Sequence, residues 1–193
     1  LQYYCYVDDW STVRARTRTS RVFHDHSAWY HCVVSMDSTN PVSDDRLKIY
    51  VNGVRETDFV EDIQIGQNQD TNASMNADTY VGASHSKTST QSFSGYLSDF
   101  YRIDGQALGP ENFALTDSNG VYNPIRYTGD YGTNGFYLPF EASDIGADNS
   151  GNNNDFTPSG LTSDSVVTDS PTNNYCTLNP LAGFFTTSAP PDF

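Results

Sequence analysis

Basic residues are scarce. Ten Lys and Arg stand against 24 Asp and Glu, giving a formal net charge of -14 over 193 residues. A surface of that sign repels phosphate backbones and anionic headgroups, so nucleic acid and membrane insertion are not expected. Long apolar runs are missing as well, and nothing approaches the roughly 20 residues of a membrane-spanning helix. No basic segment followed by an apolar stretch is visible at the start. Cysteine is limited to Cys5, Cys32 and Cys176. An odd, widely spaced set without a Cys-x-x-Cys pair argues against a disulfide framework and a thiolate zinc site. Cys5 and Cys32 lie in apolar, strand-like runs and read as small buried hydrophobes. No Gly-x-Ser-x-Gly elbow occurs, so a nucleophilic triad has no signature. Helical periodicity is almost absent.

Aromatic residues are plentiful: 13 Tyr, 11 Phe and 2 Trp offset a hydrophobic fraction of only 36%. Large rings bury much area each, so few are needed to build a core. The remaining polarity comes mainly from Asn, Asp, Ser, Thr and Gly, which favour turns over helices. Strand candidates recur between these turns. In Val13 to Val22, Arg14, Arg16 and Arg18 share one solvated face. Trp29 to Met36 is apolar and strongly β-prone. Leu47, Ile49 and Val51 alternate with Lys48 and Tyr50, then Asn52-Gly53 supplies the positive φ angles of a tight hairpin before Val54. Thr79 to Gly82 and Phe93 to Ile103 follow as strands. Pro110 to Phe113 reads as one helical turn. Phe136 to Phe140 is a late strand, followed by the polar loop Asp148 to Asp155. Residues 161–175 read as poorly ordered.

Many short strands bounded by turns predict an all-β fold. Three stretches resemble the laminin G-like branch of the concanavalin A-like lectin/glucanase superfamily. The first is Ser27-Ala-Trp-Tyr-His-Cys-Val-Val34 with Leu47-Lys-Ile-Tyr-Val-Asn-Gly-Val54. The second is Tyr80-Val-Gly-Ala83, then Phe93-Ser-Gly-Tyr-Leu-Ser-Asp-Phe-Tyr-Arg-Ile103 and Gln106-Ala-Leu108. The third is Gly135-Phe-Tyr-Leu-Pro-Phe140 with Asp148-Asn-Ser-Gly-Asn-Asn-Asn-Asp155. The resemblance implies an antiparallel β-sandwich, or jelly roll, with Trp29, Val33, Leu47, Ile49 and Val51 between its layers. The expected organisation is a laminin G-like unit over 1–115 lacking its first strands, and a loop-rich extension or start of a second unit over 116–180. A linker or tail would occupy 181–193. The phrases Tyr101-Arg-Ile-Asp-Gly-Gln-Ala-Leu108, Tyr131-Gly-Thr-Asn-Gly-Phe-Tyr-Leu138 and Asp169-Ser-Pro-Thr-Asn-Asn-Tyr-Cys-Thr-Leu-Asn-Pro-Leu181 are similar to tail-fibre-like virion proteins of marine bacteriophages. That implies a virion surface or tail, or another extracellular location. The partners implied are host cell-surface glycans and further virion chains in a homo-oligomer.

Candidate chemistry is sparse. Retaining glycosidases need two carboxylates about 5–5.5 Å apart. Asp99 and Asp104 differ in strand parity, and Glu56, Asp58, Glu61 and Asp62 lie on a solvated edge, so no enzyme is expected. His24, Asp25, His26 and His31 form a polar cluster that reads more simply as a loop than as a metal centre. Calcium is the one ion that the acidic, oxygen-rich composition suits. Its candidate ligands are Asp148, Asn152 and Asp155. Sugar binding needs exposed rings beside amides and carboxylates. Tyr3, Tyr4, Tyr6, Tyr127 and Tyr131 are available, and Tyr127 and Tyr131 are the chosen candidates. Asn72-Ala-Ser74 fits the glycosylation sequon, which has meaning only in a eukaryotic secretory setting. The leading expectation is a non-catalytic lectin-like module. The alternatives are a structural spacer or decoration domain without ligand and, behind it, a polysaccharide-degrading enzyme.

Overall fold

The computed structural model describes residues 1–6, 13–25, 27–70, 79–83 and 92–172. The sequon, His26 and Cys176 lie outside them. Among the described residues the chain is all-β in character, with ten strands and three short 3-10 turns. The sheets are small and every pairing is antiparallel. β1 (Gln2–Tyr6), β2 (Val13–Thr19) and β6 (Phe59–Ile63) form one sheet in the order β1-β2-β6. β3 (Cys32–Met36), β4 (Leu47–Val51) and β5 (Val54–Arg55) form a second in sequence order. β7 (Phe100–Arg102) pairs with β10 (Phe136–Leu138), and β8 (Ala114–Thr116) with β9 (Tyr122–Pro124). The late strand at 136–138 therefore shares a sheet with residues 100–102.

The hairpin forms where Asn-Gly predicts it. Val51 faces Val54 across Asn52 (φ 49°) and Gly53 (φ 79°), the two left-handed positions of a type I′ turn. The Asn52 side-chain oxygen accepts the His31 N–H at 2.9 Å. A Cβ added to Gly53 would lie 3.0 Å from the Tyr122 ring, and the Tyr122 hydroxyl is 2.8 Å from His31 Nδ1. Gly53→Ala combines a left-handed backbone with that contact, and is expected to cost about 1–2 kcal/mol. Gly120→Ala, at φ 81° with open space around it, is expected to cost less. Urea midpoints of the two variants check the difference.

The alternation on β4 sets the first core. Leu47, Ile49 and Val51 are at most 2% exposed, and each such side chain contributes about 1.5–3 kcal/mol by burial. Leu47 meets Ala15 of β2 and Ile65, with Tyr3 and Met36 packed against them, so the first two sheets share one cluster. On β2, Ala15, Thr17 and Thr19 point inward, while Arg16 reaches Glu61 of β6 at 2.8 Å. Of the expected arginine face, Arg18 is exposed and Arg16 half-buried, while the side chain of Arg14 lies outside the described residues.

Val33 departs from expectation. It pairs with Tyr50, whereas Ile49 pairs with Val34. Directly opposed residues share a face, so Val33 projects away from Leu47, Ile49 and Val51. It packs instead on a second cluster of Phe113, Tyr127, Tyr131 and Tyr137. Trp29 precedes β3, is only half-buried, and lines a cleft. The expected strand over Phe93 to Ile103 shortens to Phe100–Arg102, because Asp99 adopts φ 52° and breaks the extended course. Thr79 to Gly82 forms no strand, and Ala83 makes a single bridge to Ser92. The helical turn at Pro110–Asn112 is present as a 3-10 turn. Residues 163–165, read as poorly ordered, form another, capped through Thr162 and Ser165.

Candidate functional site

The second cluster is a stack of rings held by hydroxyl bonds. Tyr101 of β7 and Tyr137 of β10 lie face to face, 4.3 Å between centroids and 3° from parallel. Tyr131 meets Tyr127 edge-on at 5.2 Å. The Tyr131 hydroxyl donates to the Tyr127 carbonyl at 2.9 Å, and the Tyr127 hydroxyl to the Asp130 carbonyl at 3.1 Å. Both rings are 8% exposed. The two tyrosines expected at a sugar face thus belong to the core, and neither offers a free ring surface for stacking.

Asp148 organises the loop that follows. Its Oδ1 accepts the N–H groups of Tyr137 and Ser150, each at 2.9 Å. Its Oδ2 accepts the Ser150 hydroxyl at 2.8 Å and the Asn154 N–H at 2.9 Å. Burial pushes this carboxyl up, but the donors from Tyr137, Ser150 and Asn154 outweigh it and hold it below the ordinary carboxylate range. Asp155 Oδ1 accepts the Asp148 N–H at 2.9 Å. Asn152 donates its amide to the carbonyls of Gly132 and Gly135, at 2.6 and 2.9 Å. Asn154 donates to those of Thr133 and Gly135, at 3.1 and 2.9 Å. The three residues expected to hold calcium are together, but they do not fit the ion. Asp148 points its oxygens at hydrogen donors, and Asn152 is held by its amide nitrogen to the carbonyls of Gly132 and Gly135. Their work is to fasten the loop to the turn at 132–135, where the Tyr131 carbonyl leaves no room for a Cβ on Gly135.

The exposed aromatics lie elsewhere. A cleft of about 2120 Å³ opens between β3 and the segment 93–108. Tyr96 is 62% and Phe93 55% exposed, and both line it together with the half-buried Trp29. Asp25, Asn52, Gln69 and Asp70 bring carboxylates and amides to the same cleft. A ring face packs on apolar C–H groups, and the polar side chains suit hydroxyl partners. No family model, curated protein or solved structure matches this chain. The reading of the cleft therefore stands on its own chemistry.

The remaining candidates do not converge. His24 is exposed, while His31 is engaged with Tyr122 and its pKa is lowered by burial. Among the described residues no group of three or more His, Cys, Asp or Glu could hold a metal ion. Asp99 accepts the Tyr137 hydroxyl at 2.7 Å and the Ser98 hydroxyl at 2.7 Å. Asp104 accepts the Asn134 side-chain amide at 2.8 Å. Glu56 is buried and paired with Arg21 at 3.0 Å. These carboxylates serve as structural acceptors.

Phe93 and Tyr96 lie in a run that the sequence predicts as a strand, and it is a strand only at Phe100–Arg102. The available signal was Ser94-Gly95 between them, a small pair that interrupts a strand.

Proposed function

We propose that this chain is a non-catalytic carbohydrate-binding module, built as a laminin G-like, concanavalin A-like sandwich. It acts on a virion surface or tail, or on another extracellular surface. The observation that carries the reading is the pair of exposed rings, Phe93 and Tyr96, in a cleft that also holds Asp25, Asn52 and Asp70. Stacking and hydrogen bonding recognise a host cell-surface glycan without covalent chemistry. Weak affinity per site is multiplied by copies of the chain in a homo-oligomer. The formal net charge of -14 directs the module to neutral or cationic glycans, since polyanionic ones are repelled.

A glycan array probed with the multimerised domain tests this. Tyr96→Ala is expected to weaken binding about five- to thirtyfold, from the loss of about 1–2 kcal/mol of ring contact, with unchanged far-UV circular dichroism. Absence of any binding by the multimer would replace the lectin with a structural spacer. Release of reducing ends from host polysaccharide would make the chain an enzyme.

A further inference from the structure

β3 is an edge strand: its sheet runs β3-β4-β5, and no strand flanks it on the outer side among the described residues. Its register with β4 is unbroken from Cys32 opposite Val51 to Met36 opposite Leu47. The Asn52 N–H donates to the His31 carbonyl, and the Asp37 N–H to the Arg46 carbonyl. Hydrogen-bonded and non-bonded pairs alternate along an antiparallel ladder, so Val33 and Ser35 turn their main-chain groups toward β4. Cys32, Val34 and Met36 turn theirs outward, and no main-chain partner meets them among the described residues. Exposed edges of natural sheets are guarded by charges, proline or bulges. The run Cys-Val-Val-Ser-Met has none of these. Val34 is 41% exposed, although Ile49 beside it on the same face is fully buried. The cleft extends along this edge, since its walls include all five β3 residues.

We propose that β3 accepts an extended segment of another protein as an added strand, and that this segment carries basic side chains. Main-chain groups at three alternate residues supply the affinity, as in other strand-addition interfaces. Charge selects the occupant. Five aspartates but only two arginines line the cleft, and Asp37 stands at the end of the strand itself. The net charge of -14 opposes a second copy of this chain in that position. The added strand and the glycan of the carbohydrate reading occupy the same cleft, so the two ligands are expected to compete.

The test uses the whole chain and two end-blocked eight-residue peptides, one alternating valine with lysine and the other valine with glutamate. Fluorescence anisotropy of labelled peptide is expected to show saturable binding of the lysine peptide, and at least tenfold weaker binding of the glutamate peptide. Val34→Pro removes an outward N–H without touching the β4 ladder, and Val34→Lys places a guarding charge at the edge. Each is expected to weaken the lysine peptide at least tenfold while circular dichroism is retained. Equal affinity for the two peptides, or for wild type and both variants, overturns the proposal. So does sedimentation showing a dimer that both Val34 variants dissolve, since the edge would then belong to a second copy.

Discussion

Tyr137→Ala is expected to lower stability by about 3–5 kcal/mol, the range for removing a buried aromatic side chain. The ring is 6% exposed and belongs to the cluster formed with Phe113, Tyr127 and Tyr131. It stacks on Tyr101, and the Arg126 guanidinium lies 5.2 Å from its centroid. Its hydroxyl donates to Asp99 at 2.7 Å, the residue whose left-handed backbone ends the extended run before β7. Tyr137→Phe separates the two roles. It keeps the ring and leaves Asp99 without this donor, at an expected cost of about 1–3 kcal/mol. Burial first, and then the hydrogen bond to Asp99, push the phenol well above its ordinary pKa. A raised folded-state pKa means that the unfolded chain loses its proton first. The associated stability is complete below about pH 10 and is lost as pH rises further. Urea melts from neutral to alkaline pH should therefore fall more steeply for wild type than for Tyr137→Phe. Identical slopes would show that this phenol does not link folding to pH.

Some of these contacts are local and could be read from the chain. Asn52-Gly53 specifies its turn because two adjacent positions need positive φ, and the Leu47-Ile49-Val51 alternation gives a buried face without knowledge of the partner sheet. The face of Val33 depends on the register of β3 against β4, which places it opposite Tyr50. A shift of one residue would reverse it. Trp29 is strongly apolar by type, but the end of β3 at Cys32 leaves it on the wall of a cleft. The loop from Asp148 to Asp155 is rich in oxygen, which suits a cation and backbone N–H groups equally well. Only the positions of Tyr137, Ser150 and Asn154 decide between them. Tyr127 and Tyr131 sit among Gly, Asn and Asp, a surface-like setting. Tyr127 packs on Phe113 and Tyr131 on Tyr101, partners distant in sequence. Phe93 and Tyr96 are the converse case: they are large apolar rings, and the non-strand course of the segment before Phe100 leaves both exposed.

Asp148→Ala should be nearly as damaging as the loss of the Tyr137 ring, at about 2–4 kcal/mol, because one side chain satisfies four donors and hydrogen bonds to charged groups are the stronger kind. The Tyr137 N–H lies in β10, so the loss reaches the sheet as well as the loop. Asp148→Asn keeps the shape but exchanges one acceptor for a donor, and the N–H groups around it then face an NH2 group. It should cost less than alanine and more than a surface change. The acid limb supplies a second readout. This carboxyl is held below its ordinary value, so its stability is present above about pH 3.9 and is lost as pH falls through the lower folded-state value. Asp148→Asn should lack that component of acid unfolding. Calcium discriminates the structural role from a metal-binding one. With both Asp148 oxygens turned toward hydrogen donors, EDTA or added calcium should leave the wild-type melting temperature unchanged. A calcium-dependent rise in Tm that Asp148→Asn abolishes would mean that the loop rearranges around an ion, and that the hydrogen-bonded lock is only its metal-free form.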